Sequence, residues 1–298
     1  MFDNPTLDDR IKPFLPIEGP ERIRAAWPAI WINTPQAKHA LKELDDLLMA
    51  ADSSKAAGLV VSGDSDTGKS RVMERFAELN LGNGIDPETE YALHPVIYIR
   101  APTTPSRSAL LKLILNEIGQ QVRGNFRDED LHQHVVRMMR ACGTRVLLID
   151  ELQQTEHLAT TANVRAFLRG IKALVNDTGR PIAVGGTPDI IDFIRIEPQV
   201  RSRFADLVKM EPMTAHIEQV IILAFERLLP LRHASDLRAN ADIVAAIQGF
   251  SLGYIGRLSR LLQKACLIAV REGEERLTLP IVEQVIKRSL ASSIDNFG

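Results

Sequence analysis

GDSDTGKS, residues Gly63 to Ser70, satisfies the pattern G-x-x-x-x-G-K-[ST] of a phosphate-binding loop without a mismatch. The pattern encodes a physical demand: the backbone must curl until successive N–H groups face one phosphate. Gly63 and Gly68 permit the curl, and Asp64, Ser65, Asp66 and Thr67 complete the cradle between them. The apolar run Ala57–Val61 before it suits a buried strand, and Lys69–Leu79 after it suits a helix whose first turn adds partial positive charge. Lys69 is expected to reach the β- and γ-phosphates of ATP. Ser70 is expected to place its hydroxyl on Mg²⁺, with Arg71 beside it in the nucleotide site. A chance match in a chain this long arises roughly once in a hundred, and the strand and helix on either side lower that further. The stretch is not the nucleophile elbow of a hydrolase, because Thr67 stands where the second glycine must be.

A second acidic site lies downstream. Val146-Leu147-Leu148-Ile149-Asp150-Glu151 is an apolar run closed by two acids. Asp150 then sits at the carboxyl end of a parallel strand, where such sheets bind ligands, and would hold Mg²⁺ directly or through water. Glu151 would orient and deprotonate the attacking water. An acidic helix cap after a buried strand is the plainer alternative, and Lys69 upstream tips the balance. The pair suits hydrolysis of ATP to ADP and phosphate; a kinase needs a hydroxyl acceptor site instead.

Further polar residues fall at places where such a site needs them. The strand Pro181–Gly185 runs into Gly186-Thr187-Pro188, so Thr187 is placed to contact the γ-phosphate and the lytic water, or to cap the helix Pro188–Ile194. Arg201 and Arg203, late in the α/β region, reach an adjacent subunit's nucleotide more easily than their own, with Arg203 slightly favoured as the finger. A surface salt bridge is the alternative for both. Arg257, in Gly253-Tyr254-Ile255-Gly256-Arg257-Leu258, opens a helix from which it folds back onto the phosphates, unless it is a plain exposed helix arginine.

The rest of the chain frames these motifs. Hydrophobic residues make up 45% and charged residues 25%, ordinary for a soluble globular protein, and the net charge of -2 announces no global attraction to nucleic acid. Cys142 and Cys266 have neither metal nor redox spacing, which points to a reduced, cytoplasmic chain. Met1–Arg10 is too acidic and polar for a signal peptide, and no apolar run approaches the ~20 residues of a membrane span. Residues 1–34 read as an irregular arm with one short helix near Glu21–Ala26. Residues 35–212 alternate helices with the strands 57–61, 94–99, 145–149, 181–185 and 207–210, which implies a five-stranded parallel sheet flanked by helices. Residues 213–298 carry four helical patterns and read as a small all-helical lid. His132 and His134 do not share a helix face, so they do not pair as metal ligands.

Taken together, the loop at 63–70, the acids at 146–151, Gly185-Gly186-Thr187, Arg201–Phe204 and Gly253–Leu258 resemble the AAA+ superfamily of P-loop NTPases. More narrowly the chain resembles the TniB family of bacterial transposition regulators, akin to TnsC-type and phage Mu target-DNA ATPases. That likeness rests on Arg22-Ile23, Trp31-Ile32, the helix Pro35–Leu48, Asp150–Gln154, Gly186–Asp189 and Gln199–Phe204. It implies an ATP-bound homo-oligomer, a ring or helical filament, assembled on duplex DNA. It implies recruitment of a DDE transposase and a target-selecting partner, in the bacterial cytoplasm and away from any membrane. Only about 30 residues precede the core helix, so DNA must be met by the AAA+ domain itself. Arg100, Thr103, Thr104 and Arg107, after the second strand, are the candidates, with Lys112, Arg123 and Arg127 secondary; contacts to the phosphate backbone would suffice. Trp31 and Ile32 belong to a segment that closes the adenine pocket in AAA+ proteins, though core packing or a subunit contact suits them equally. A helicase loader or a nucleotide-gated scaffold without DNA are the competing functions.

Overall fold

The computed structural model describes residues 4–52, 58–122, 124, 126–155 and 160–295. They form two compact units, Pro35–Glu211 and Met1–Thr34 with Pro212–Gly298.

The first unit is a parallel α/β sandwich. Its strands are β1 (Gly58–Gly63), β2 (Val96–Arg100), β3 (Val146–Asp150), β4 (Ile182–Gly186) and β5 (Phe204–Met210), in the spatial order β2-β3-β4-β1-β5 with every pairing parallel. β1, β3 and β4 are buried along their whole length, because helices cover both faces. That is why their sequences are apolar rather than alternating. On one face α4 (Arg107–Glu117), α5 (Asp128–Ala141) and α6 (Thr161–Thr178) meet the sheet through Leu110, Ile114, Val135, Met139, Phe167 and Ile171. On the other face α2 (Pro35–Met49) packs on β1 and β5 beside α3 (Lys69–Leu79), which buries Val72, Met73 and Phe76. Two short helices, α7 (Ile190–Arg195) and α8 (Pro198–Arg201), fill the passage from β4 to β5. The chain leaves β1 for the far edge, returns through β3 and β4, and ends beyond β1, so the carboxyl ends of β3, β4 and β1 lie side by side at the reversal. Open α/β sheets bind ligands there.

The second unit is helical. α1 (Glu21–Ala26) joins α9 (Ala215–Glu226), α10 (Ala241–Ser251), α11 (Ile255–Glu272) and α12 (Leu279–Asp295) around Ile23, Ile222, Phe225, Ile247, Leu258, Leu262, Cys266 and Val282. The arm is therefore not a separate body. Leu7, Ile11 and Leu15 pack on Leu228, and Ile23 enters the helical core. Thr214 caps α9, its hydroxyl accepting from the Ile217 amide. Both cysteines are buried and unpaired; burial pushes their thiols upward, so neither is primed as a nucleophile. Among the described residues no helix is long and apolar enough to cross a membrane.

One buried ion pair ties arm to bundle. The Arg22 guanidinium is fully buried and donates to the Glu275 carboxylate at 2.6 and 2.9 Å and to the Ile17 carbonyl at 2.9 Å. Removing one member of such a pair strands the other charge, at a cost of about 3 kcal/mol. Arg22→Met is expected to lose that much in a urea titration, with the helical unit melting first in residue-resolved hydrogen exchange.

Candidate nucleotide site

The loop that follows β1 is shaped by close backbone approach. A Cβ on Gly63 would stand 2.2 Å from the Met210 carbonyl oxygen and 2.9 Å from Thr67 Oγ1, so no other residue fits the turn out of the strand. Thr67 Oγ1 and Lys69 Nζ both donate to the Asp64 carbonyl, at 2.7 and 2.8 Å. Lys69 is 4% exposed. Burial lowers its pKa, opposed by the carboxylates of Glu151, Asp150, Asp64 and Asp66. Ser70 lies half-buried in the first turn of α3. Arg71, by contrast, runs along its own helix, donating to Glu78 at 2.6 Å and lying 3.9 Å from Glu74.

The acids close β3, two strands away. Asp150 is fully buried; its Oδ1 accepts from the Glu151 amide at 2.9 Å and its Oδ2 from the Tyr98 hydroxyl at 3.0 Å. Burial and the Asp150 charge push the Tyr98 phenol upward, which keeps it a donor. A Cβ on Gly185 of β4 would stand 2.5 Å from Asp150 Oδ1 and 2.6 Å from Met73 Sδ, so this glycine makes the room the carboxylate occupies. Glu151 follows with φ +55°, a left-handed backbone uncommon for this residue, and its Oε2 accepts from Gln153 Nε2 at 2.9 Å. No group of three or more His, Cys, Asp or Glu side chains among the described residues suits a metal by itself. The Ser70 hydroxyl and Asp150 carboxylate are hard oxygen donors. That set fits Mg²⁺, which takes few protein ligands and completes its shell with phosphate and water.

Thr187 follows β4 directly and is half-buried. Its carbonyl accepts from the Ile190 amide at 2.9 Å, and no side chain caps α7 at Asp189, the position before the helix. Arg201 and Arg203 lie at the opposite end of the sheet. The Arg203 carbonyl accepts from the Gly58 amide, at the start of β1. From there to Gly63 is five residue steps, about 17 Å at the rise of an extended chain. Arg203 donates to Asn176 of α6, while Arg201 is exposed.

In the helical unit, Arg257 stands in the first turn of α11 with its guanidinium 4.3 Å over the Tyr254 ring. The entry to that helix is held by buried Glu218, which accepts from Ser251 Oγ at 2.6 Å and the Gly253 amide at 2.9 Å. Trp31 Nε1 donates to Asn33 at 2.7 Å, and Ile32 packs against the bundle core.

The DNA candidates fare unevenly. Thr103 and Thr104 are exposed in the loop. Arg100 ends β2 and donates to Glu74 at 3.2 Å. Arg107 is not in the loop; it begins α4, lies over Gly170 and sits 3.6 Å from Glu129. Lys112 is half-buried on α4, Arg127 precedes α5, and Arg123 lies outside the described residues. His132 is buried with Nε2 2.7 Å from Asp177, a helix-to-helix tie.

With this geometry in place, the family model "Bacterial TniB protein" matches residues 22–212, more than half of the chain. The chain belongs to the TniB family. No curated protein matches it. Among solved structures, the Aeropyrum pernix ORC2 protein in its ADP form is 15% identical with a TM-score of 0.60, over 87% of this chain and 69% of that one. Cdc6p from Pyrobaculum aerophilum is 15% identical with a TM-score of 0.59, over 87% and 68%. The A. pernix ORC1 protein in complex with DNA is 17% identical with a TM-score of 0.57, over 86% and 66%. At such identities the likeness is one of fold, and the fold is AAA+: a P-loop sheet followed by a helical unit. By family and fold the TniB chain is an AAA+ ATPase.

Three contributors escape a reading by motif. Tyr98 hides in an apolar strand, Glu74 in the helix after the loop, and Gln153 two residues beyond Glu151. A hydroxyl inside an otherwise apolar strand marks Tyr98, and Gln153 stands out only as part of the stretch Asp150–Gln154. Lys69 supplies a test of loop and burial together. Its lowered pKa means that its charge is less stable in the folded chain than in the unfolded one at neutral pH. Lys69→Met is therefore expected to keep or raise the thermal midpoint while weakening ATP roughly a hundredfold, the loss of about 3 kcal/mol for one charged contact, read by calorimetry.

Proposed function

We propose that this TniB-family ATPase regulates DNA transposition: with ATP bound it assembles on duplex DNA as a ring or helical filament and recruits a DDE transposase and a target-selecting partner. Hydrolysis then releases the assembly. The observation that carries the reading is the division of the machinery between the two ends of one sheet. Lys69, Asp150 and Glu151 gather at the carboxyl ends of the strands, whereas Arg201 sits exposed at the other end, about 17 Å away along β1. An arginine side chain does not span that distance. Arg201 serves the nucleotide of the next copy, stabilising charge that develops on the transferred phosphoryl group.

Within one copy each residue has a separate task. The loop amides and Lys69 hold the phosphates, and Thr187 contacts the γ-phosphate from the end of β4. Ser70 and Asp150 hold Mg²⁺, which when bound neutralises phosphate charge. Glu151 takes the proton of the attacking water. Arg257 reports the phosphate state to the helical unit, and Trp31 and Ile32 close the adenine side. Thr103, Thr104 and Arg100 supply phosphate-backbone contacts that need no base reading, each copy adding a few. The DNA in the A. pernix ORC1 complex and in the Drosophila ORC structure, 14% identical with a TM-score of 0.53, favours a DNA-bound role but also a second reading. In that reading the chain is another DNA-associated ATPase, such as a helicase loader. Pulldown of a replicative helicase in place of a transposase would select it.

Glu151→Gln is expected to keep ATP, slow hydrolysis at least ~100-fold, and lengthen the lifetime of DNA-bound oligomers in electron microscopy and dissociation assays. Faster dissociation than wild type would break the release model. Arg201→Ala and Glu151→Gln are each expected to be nearly inactive alone yet to recover turnover on mixing, because one copy's acid then meets the other copy's arginine. An unchanged mixed rate would place the arginine elsewhere.

A further inference from the structure

We infer that Gln153 is the positioning residue of the lytic glutamate, its side-chain amide fixing the carboxylate of Glu151. The inference rests on the reading of Glu151 as the base. Gln153 lies in the single 3₁₀ turn Leu152–Thr155 directly after the acids and is 6% exposed. Its Nε2 donates to Glu151 Oε2 at 2.9 Å, whereas its Oε1 is buried with no hydrogen-bond partner. An ionised carboxylate only accepts, so the amide must turn its NH₂ group toward Glu151 and its carbonyl away. The carbonyl is thereby left without a donor, which costs stability. A leucine or methionine would fill the same volume without that loss. The polar side chain is kept at a cost, which is the mark of a group retained for what it holds rather than for packing.

The seat is specific. Gln153 Oε1 lies against Gly186, where a Cβ would stand 2.0 Å from Oε1 and 2.9 Å from Cδ. The amide therefore spans from the end of β3 to the end of β4, one residue from Thr187. Glu151 is held from its other side as well: its backbone is left-handed, and its amide donates to Asp150 Oδ1 at 2.9 Å. Backbone and side chain together set the plane of the carboxylate. The charge of that carboxylate is felt at Lys69 in the phosphate loop, where it opposes the lowering of the lysine pKa by burial. Gln153 touches no reacting atom. It acts through Glu151, by keeping the base within reach of the water, where a misplacement of about 1 Å costs on the order of a hundredfold in rate.

The test compares Gln153→Met, which keeps the length and removes the amide, with Glu151→Gln and with the pair. For Gln153→Met, kcat for ATP hydrolysis on duplex DNA is expected to fall ~10- to 100-fold, while KM and calorimetric ADP affinity stay within about threefold. The thermal midpoint is expected not to fall. Added to Glu151→Gln, the same change is expected to alter the residual single-turnover rate less than about twofold, because the amide acts only through the carboxylate. Gln153→Glu, which keeps the shape and sets a like charge against Glu151, is expected to show at least the same kcat loss, and it carries the test if Gln153→Met does not fold. An unchanged kcat, a matching loss of ADP affinity, or an equal further loss on top of Glu151→Gln would each overturn the inference. Wild-type turnover by Glu151→Gln would instead remove the base itself and the inference with it.

Discussion

The absence of side chains at three positions on two adjacent strand ends is the constraint on which the nucleotide site depends. Gly63 ends β1, and Gly185 and Gly186 end β4 beside it. A Cβ at these positions would collide with the Met210 carbonyl, the Asp150 carboxylate and the Gln153 amide at 2.2, 2.5 and 2.0 Å respectively. Close packing leaves no slack for such overlaps. The sheet surrenders side-chain volume at its carboxyl edge, and polar groups from the ends of β3 and β5 occupy the space. The parallel order β3-β4-β1 makes this possible, because it lines up three strand ends whose sequences lie more than 30 residues apart.

Two buried cations show how differently the fold treats charge. Arg22 is closed off: two Glu275 oxygens and a backbone carbonyl satisfy its fork, and the result is mechanical. Lys69 is nearly as buried, yet its ammonium donates to a carbonyl of its own loop, and four carboxylates act on it through space. A cation left in that condition lowers the stability of the fold and raises the affinity for a polyanion. Stability is exchanged for binding at this one position, as is usual where a site must be ready for a charged ligand.

The loop, the acids and the four lid helices are legible in sequence because each is set by local pattern: a fixed spacing, an apolar run, a helical stripe. The contact of Arg203 with Asn176 of α6 was not legible, because the two lie 27 residues apart. Arg107 likewise reads as a loop cation until Gly170 of α6 is brought beneath it. The arm reads as irregular because Pro5, Pro13, Pro16 and Pro20 interrupt any helix. Its apolar residues Leu7, Ile11 and Leu15 nevertheless recur every four residues, a stripe that only Leu228 of the helical unit explains. Local physics announces elements and motifs; which side chain remains available for chemistry is decided by partners distant in sequence.

The length of the strands also bears on how hydrolysis is controlled. The six residues of β1 separate its two ends by about 17 Å, so one chain cannot place both its own acids and its own Arg201 on one phosphate. On the proposed reading, the acid and the arginine converge only when one copy's carboxyl edge faces another's opposite edge. Nucleotide turnover then measures assembly: an isolated chain binds without cutting, and each junction formed adds one competent site. Gln153 places a second condition inside that junction, because Glu151 is competent only while the amide holds it, and the amide is seated on the same strand end that carries Thr187. A shift of β4 on contact with the γ-phosphate would move the seat and hence the base, coupling recognition of the phosphate to readiness for its cleavage.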